Sequence, residues 1–402
     1  MTDVLIAGGG IAGLTTALFL EKAGIDCCVL EREQSRDSPG YGIQLSPNAT
    51  RLLARIVDPT RLAEIASEPE SVCLRHWRSG RELSRIALGV SVRERYGYPY
   101  YSVSRRDLVR LISSAAKARP GIAIEVGVDV SALETTPSSV KICANGRQFI
   151  GRWLVGADGS NSWVRKSLFA DKPSPAPRFE AWRTLVPSDR VLAGDCEDLC
   201  TQLWLGPHAH VVHYSIAGGS SINVVAVLKR SSPQLEQGNR TRERTELLER
   251  LSGWHKSVRQ LLASIPDHEV EVWPLIHRHP PRCWNQGRTI LIGDACSTIL
   301  PFFAQGAAKA IEDAASLARC VEQSDHPEPA FRKFQSMRAS RVRQFGRQAR
   351  LLAIAYHAGP PVAWFRDLGS ACMARRVADW TFAHDAPSGQ SVPLDQTETQ
   401  TG

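Results

Sequence analysis

The feature that most constrains this chain lies at its start. Val4-Leu5-Ile6-Ala7 is a short apolar run of strand character that ends in Gly8-Gly9-Gly10; Ile11 to Ala23 follows with helical periodicity, then a second apolar run, Cys27-Cys28-Val29-Leu30. Strand, glycine turn, helix and strand in that order form a βαβ unit, and the spacing Gly8, Gly10, Gly13 assigns each glycine a task. Gly8 permits the tight turn, Gly10 lets backbone approach a pyrophosphate, and Gly13 lets the helix pack against the strand, while the helix N-terminus offers N–H groups to phosphate. Ala12 flanks the same turn. Glu31 closes the second strand 18 residues beyond Gly13, placed to accept hydrogen bonds from ribose hydroxyls, with Arg32 beside it. An acid at this point disfavours a 2′-phosphate, so the dinucleotide expected here is FAD or NAD rather than NADP.

With 402 residues, 43% hydrophobic and 22% charged, the chain has the composition of a folded protein of one large or two medium domains. The net charge of +8 is spread thinly, with a mild concentration at Arg338, Arg341, Arg343, Arg347 and Arg350. Those five follow one long helical pattern and read as a solvated charged face, so the balance favours an anionic substrate and cofactor over nucleic acid. The ten cysteines, Cys196 and Cys372 among them, show neither a repeated C-x-x-C pattern nor a histidine pair at zinc spacing. No metal site is expected. Scattered thiols, a start without a secretory pattern and the lack of a membrane-length apolar run point to the cytoplasm.

Further along, residues 34–47 read as a loop, with Asn48 capping a helix through about Ile56. Strands are expected over 72–78 and 81–87, and a helix from Asp107 to Ala118. A β-rich stretch from Ile122 to Val155 turns at Asn145-Gly146, and a second spans about 178–228 with a hairpin at Gly218-Gly219. Helical patterns return at 241–263, about 305–322 and 328–357, with a strand at 289–292; the tail after Ala386 reads as disordered. In the hairpin, alternation sends His208 and His210 to one face and His213 to the other with Val211 and Ser215. Two more strand ends carry a glycine and an aspartate: Val155-Gly156-Ala157-Asp158-Gly159-Ser160, and Thr289-Ile290-Leu291-Ile292-Gly293-Asp294-Ala295, the latter followed by Pro301 and Ala304-Gln305-Gly306-Ala307.

Together, and with Tyr101 to Leu108 and Trp284 through Gly287-Arg288, these segments resemble the FAD-dependent aromatic-ring monooxygenase family with the para-hydroxybenzoate hydroxylase fold. Gly42 to Ala49, Trp182-Arg183 and Asp379-Trp380 are similar to its salicylate hydroxylase-like branch. The resemblance implies an α/β protein: a discontinuous Rossmann-type FAD domain (1–71, 101–175, 281–325), a mostly β substrate domain (72–100, 176–280), C-terminal helices (326–385) and a tail (386–402). It implies FAD as cofactor, NADH or NADPH as co-substrate, dioxygen, and a small electron-rich aromatic such as a salicylate or hydroxybenzoate. Oxygenation or epoxidation of a fused or N-heterocyclic aromatic in biosynthesis is the alternative. The assembly expected is a monomer or homodimer.

Carried over by residue, the resemblance implies that Asp294 bonds the ribityl or ribose chain, that Arg105 contacts the cofactor, and that Asp158 serves a segment shared by FAD and NAD(P)H. Backbone N–H groups at Gly306 and Ala307 would face the flavin's pyrimidine edge, where a positive helix end stabilises an anionic reduced flavin. His213 and Pro301 are the residues expected at the catalytic end, His213 as the contact to a substrate phenol or carboxylate. The chain departs from the pattern in two places. Cys296 and Ser297 stand where many relatives have a histidine, and Tyr41 stands at a position usually small.

Overall fold

The computed structural model describes residues 2–34, 40–169, 176–191, 199–230, 240–266, 270–324, 326–359 and 377–391. Cys196, Cys372 and the tail beyond Ser391 lie outside these residues. The apolar runs of the sequence become the centre of a parallel sheet: Thr289–Leu291, Arg147–Gly156, Thr2–Ala7, Cys27–Glu31 and Ile122–Val126 lie side by side in that order. The interiors of the central strands Thr2–Ala7 and Cys27–Glu31 and the last residues of Arg147–Gly156 are buried on both faces, as a parallel sheet with covered faces requires, whereas Ile122–Val126 is a partly exposed edge. The fingerprint helix Ile11–Lys22 is buried from Ile11 through Leu20, all round rather than on one stripe. It is enclosed between this sheet and the helices Arg105–Lys117 and Gly306–Glu322. The antiparallel strands Val130–Thr135 and Val140–Ala144 extend the sheet, the second returning through Asn145 (φ 48°) and Gly146 (φ 72°) into Arg147–Gly156. Two successive positive φ values are what a two-residue hairpin of this hand demands.

A second sheet of eight strands runs in the order Arg240–Arg242, Val270–Pro274, Phe179–Pro187, Ser221–Lys229, Ala209–Ile216, Cys200–Gly206, Ser71–His76, Glu82–Ala87. One face packs Trp182, Trp204, Val211 and Val224 against helices Arg244–Arg250 and Lys256–Ala263. The other face looks toward the first sheet. The single helix expected over 241–263 is therefore two: residues 240–242 join the sheet edge, and the helix breaks around Gly253 before His255 restarts it, its Nδ1 accepting from the Ser257 amide at 3.4 Å. Pro47, not Asn48, opens the next helix, Pro47–Leu53, behind an extended Ser46, because Asn48 is drawn into a buried network.

The long helix Pro327–Tyr356 packs on Gly306–Glu322, and here the expectation of a solvated arginine face is overturned for two of its five members. Arg343, Arg347 and Arg350 are exposed, but Arg338 and Arg341 are 1% and 5% exposed. They meet Glu312 and Asp313, both fully buried. Arg338 Nε donates to Asp313 Oδ1 at 2.8 Å and its Nη1 lies 2.7 Å from Glu312 Oε2; Arg341 donates to both Glu312 oxygens at 2.7 and 2.6 Å. Lys309 Nζ, also buried, donates to Asp313 Oδ2 at 3.1 Å and to the Gly293 carbonyl at 2.7 Å. Burial alone would raise the Glu312 carboxyl, yet Arg341 and Arg338 hold it well below the usual carboxylate range. Removing one member strands a buried charge, so Arg338→Met is expected to lower the unfolding free energy by about 3 kcal/mol. Arg343→Met on the exposed face should change it by less than about 0.5 kcal/mol. Chemical denaturation of both variants checks the contrast.

Candidate active site

Three strands of the parallel sheet end at the same edge, two of them carrying the glycine–aspartate segments and the third the glycine turn. Thr289–Leu291 runs into Gly293-Asp294, Arg147–Gly156 into Ala157-Asp158, and Thr2–Ala7 into the glycine turn, with Glu31 at the end of the next strand. Segments some 150 residues apart in the chain thus become neighbours. This is the carboxyl edge at which open α/β sheets bind ligands, where the strand order turns back on either side of Thr2–Ala7.

The geometry fits FAD. Gly8 has φ 105°, and a Cβ there would lie 2.5 Å from the Ala157 carbonyl oxygen; a Cβ on Gly13 would lie 1.9 Å from the Gly8 carbonyl oxygen. Gly10 meets nothing nearer than Arg105 Nη2 at 3.9 Å, leaving its backbone open to the cavity. No side chain caps the fingerprint helix, so its first N–H groups remain available. Glu31 accepts from the amides of Gly9 at 2.7 Å and Glu33 at 2.9 Å, which holds its carboxylate at the rim beside Arg32. Ala12 lines the same wall and explains Gly293 (φ 55°), whose Cβ would approach the Ala12 methyl to 2.9 Å.

Asp294 lines the cavity, with its side chain exposed to it. Burial raises its carboxyl from the usual value, against the opposing fields of Lys309 and Arg105. Asp158 accepts from the Val164 amide at 3.0 Å at the head of helix Trp163–Leu168, and burial likewise raises it. The helix Gly306–Glu322 presents its N-terminus to the cavity with no side-chain cap. The Gln305 amide is occupied elsewhere, donating to Ser46 Oγ at 2.9 Å. The amides of Gly306 and Ala307 are thereby left to a ligand, and the positive helix end suits an anion. Pro301 begins a short turn, Pro301–Phe303, in the cavity wall between Asp294 and this helix.

Gly8, Gly10, Ala12, Glu31, Arg32, Arg105, Asp158, Asp294, Pro301, Gly306 and Ala307 therefore border one cavity of about 2200 Å³, with Gly13 packed behind the turn. That volume exceeds the roughly 300–1,000 Å³ of a pocket for one small ligand and leaves room beyond a cofactor. His213 is not part of it. Its strand turns His210, Val212 and Tyr214 to the cavity and Val211 and His213 to the helix-covered face. There Trp204 Nε1 donates to His213 Nε2 at 3.1 Å, and burial with nearby Arg75 pushes the imidazole down to about 3. His213 is a core residue, and the histidine on the cavity side is His210.

Ser297, at the position of the expected histidine, is also sealed from the cavity, and burial pushes the Cys296 thiol up to about 12. A thiol so raised is inert. Arg183, met in the sequence only as part of a branch motif and not as a site residue, lies above the Tyr41 ring at 4.8 Å and donates to the Gly42 carbonyl at 3.2 Å. Burial lowers its pKa from the usual value, the mark of a cation held in a poorly solvated wall.

Residues 1–324 match the family described as FAD binding domain. The chain belongs to that family. It is a flavoprotein aromatic monooxygenase, holding FAD and using NADH or NADPH and dioxygen. Among curated relatives, 3-amino-4-hydroxybenzoate 2-monooxygenase of Streptomyces cremeus is 34% identical over 88% of this chain and 87% of its own. The 3-hydroxybenzoate 6-hydroxylase of Klebsiella oxytoca is 31% identical over 88% of each. The 6-hydroxynicotinate 3-monooxygenase of Bordetella bronchiseptica is 30% identical over 84% and 88%. Among solved structures, a salicylate hydroxylase substrate complex shares the fold with a TM-score of 0.80 at 21% identity, covering 96% and 97% of the two chains. Among the described residues no helix is long and apolar enough to cross a membrane, and no histidine, cysteine and carboxylate group forms a metal cluster.

Asp294→Ala should weaken FAD binding by about 1–3 kcal/mol, because it removes a charged acceptor from the cavity wall. Titration of apo-protein with FAD measures it, and an unchanged dissociation constant would take Asp294 out of the site.

Proposed function

We propose that this enzyme hydroxylates a monocyclic aromatic carboxylate bearing a ring hydroxyl, on the salicylate or hydroxybenzoate pattern. The observation that carries the reading is the floor of the cavity beyond the cofactor wall. Register across the second sheet sets Leu205, His210, Val227 and Ala181 in one row and Leu203, Val212, Val225 and Arg183 in the next. His210 and Arg183 thus stand two strands and one row apart, roughly 12 Å between Cα atoms from standard strand spacings. Apolar side chains fill the space between. A cation at one end and a neutral acceptor at the other, over an apolar floor, match a flat ring with a carboxylate and a hydroxyl. The relatives named above act on benzoates and a nicotinate, each with both groups.

Bound FAD supplies electron transfer from the nicotinamide and delivery of one oxygen atom from dioxygen. The chain's own residues orient and polarise. Arg183, fixed by Tyr41 and Gly42, would pair with the carboxylate. Burial, then the neighbouring His357, drives His210 far below its ordinary pKa, so it stays neutral and presents a lone pair. Accepting a hydrogen bond from the ring hydroxyl, it would shift electron density into the ring and make the ring a better nucleophile. Pro301 and Phe302 would close the wall above, excluding water. The cytoplasm is the proposed compartment, supported by eight free cysteines among the described residues, and the proposed assembly is a monomer or homodimer.

The decisive experiment follows NADH and NADPH oxidation in the presence of 3-hydroxybenzoate, 3-amino-4-hydroxybenzoate, salicylate and phenol, with product identification. Stimulation by a hydroxybenzoate with an oxygenated product supports the reading; equal stimulation by phenol, or none by any carboxylate, sinks it. Arg183→Met is expected to raise KM about 10- to 100-fold, the equivalent of a charged hydrogen bond. His210→Ala should lower kcat/KM by a similar factor with FAD content intact, whereas His213→Ala should leave KM unchanged.

A further inference from the structure

We propose that His357 is a positioning residue that fixes the tautomer of His210, so that His210 Nε2 meets the cavity as a lone pair and not as an N–H. The inference rests on the reading of His210 given above and adds the group that makes it an acceptor. His210 Nδ1 and His357 Nε2 are 2.9 Å apart in a buried setting. Two neutral imidazoles can share that contact in one of two directions, and the direction decides which way His210 presents itself to a substrate.

His357 follows the long helix Pro327–Tyr356, and its backbone amide bonds the Ala355 carbonyl. The carbonyl of Ala353 in the last turn thereby loses its regular i+4 partner. Burial drives the His357 imidazole down to about 4, so the ring is neutral, and the Ala353 carbonyl is the neighbouring group that opposes this by favouring an N–H on the ring. With Nε2 committed to His210, the nitrogen it acts on is Nδ1, which is buried and forms no close hydrogen bond of its own. A protonated Nδ1 makes Nε2 an acceptor. His210 Nδ1–H must then be the donor across the 2.9 Å contact, and His210 Nε2 carries the lone pair. Nε2 makes no hydrogen bond to a described residue and His210 lines the cavity, so Nε2 is the ring nitrogen left for a substrate.

The His357 ring has little freedom to choose otherwise. It stacks on Phe179 with centroids 4.4 Å apart and meets Phe302 edge-on at 5.5 Å. Its own carbonyl accepts from the His208 amide at 3.4 Å, which ties the helix end to the start of the His210 strand. The titratable groups around the pair are Tyr356, whose ring lies edge-on to His210 at 5.4 Å, and His208 in the preceding turn. No carboxylate among the described residues contributes to either imidazole. The pair therefore conveys a hydrogen-bond direction and not a charge, unlike an arrangement in which an acid orients the base.

Nitrogen NMR of histidine-labelled, FAD-loaded enzyme reads the tautomer directly. An unprotonated Nε2 on His210, assigned by its loss in His210→Ala, is expected; a protonated Nε2 there overturns the proposal. In parallel, His357→Phe keeps the ring and its stacking but offers no acceptor, while His357→Gln restores one. With a substrate that passes the oxidation assay, His357→Phe should lower kcat about ten-fold, roughly the value of one hydrogen bond, at unchanged FAD stoichiometry. The ultraviolet signature of bound hydroxyaromatic should move toward the free neutral phenol, and His357→Gln should recover both. Wild-type kcat and spectrum in His357→Phe, with His210→Ala impaired, would refute the positioning role and leave His210 in place. Wild-type behaviour of His210→Ala would instead refute the floor reading and this proposal with it. If the phenylalanine variant does not fold, the NMR of the unaltered enzyme still decides.

Discussion

The site depends on five charged side chains that never reach water. Lys309, Glu312 and Asp313 lie on successive turns of the helix Gly306–Glu322, and Arg338 and Arg341 reach them from the helix behind. Desolvating five charges is costly, and such a cluster is tolerated only when its members satisfy one another. Here the satisfaction has a structural consequence. Lys309 holds the Gly293 carbonyl and Asp313 accepts from the Gly293 amide at 3.1 Å, so the loop carrying Asp294 is gripped at both backbone groups. Glu312 accepts from Asn48 at 2.7 Å, and Asn48 donates to Gln305 at 3.2 Å, which links the helix start to the first turn of Pro47–Leu53. The helix that aims its positive end into the cavity is therefore locked to the strand edge that holds Asp294. Neither could shift without leaving a charge unpaired.

Much of the cofactor wall was legible in the sequence because its signals are local. A glycine at φ 105° between a strand and a helix, or a glycine whose Cβ would strike a carbonyl at 1.9 Å, is imposed by neighbours a few residues away. Three such signals end three strands, and a parallel sheet brings such ends to one edge. The buried arginines were not legible for the opposite reason. Arg338, Arg341, Arg343, Arg347 and Arg350 are chemically alike and share one helix; what separates them is which side meets Glu312 and Asp313, and those acids belong to another helix. The companion signal was present as two adjacent acids and one lysine in a helical stretch otherwise made of small and apolar residues, Ala308 to Ala318, where two carboxylates outnumber the local cation and would not survive burial unpaired.

The histidines show the same limit in a strand. Alternation separates His210 from His213 with certainty and says nothing about which side holds the ligand. The discriminating fact lies elsewhere: the helices Arg244–Arg250 and Lys256–Ala263 carry Leu247, Val258, Leu261 and Leu262, which need an apolar surface to cover. The strand face with Val211 and His213 continues through Val224, Ala226 and Trp182 and supplies it. The opposite face breaks its apolar run at His210, Tyr214 and Arg183, and such a face is not built to be covered by a helix.

Where the two sheets meet explains why the cavity exists at all. Gly42 donates to Asn223 Oδ1 at 2.7 Å, and a Cβ at this position would come within 2.7 Å of the Tyr214 ring and 2.8 Å of Asn223. A side chain there would pry the strand Gly42–Leu45 off the second sheet. With glycine, the strand lies flat on Tyr214 and Asn223 at one end, while the rows of Arg183 and His210 are left uncovered beside it. The resulting space has a gradient built into its walls: helix N-termini, Arg105 and Asp294 at one end, and valines with the neutral His210 at the other. An ionised, hydrogen-bonding cofactor is favoured at the first end. A flat, mostly apolar ring suits the second, and Gly42 sets how closely the strand Gly42–Leu45 approaches the second sheet beside it.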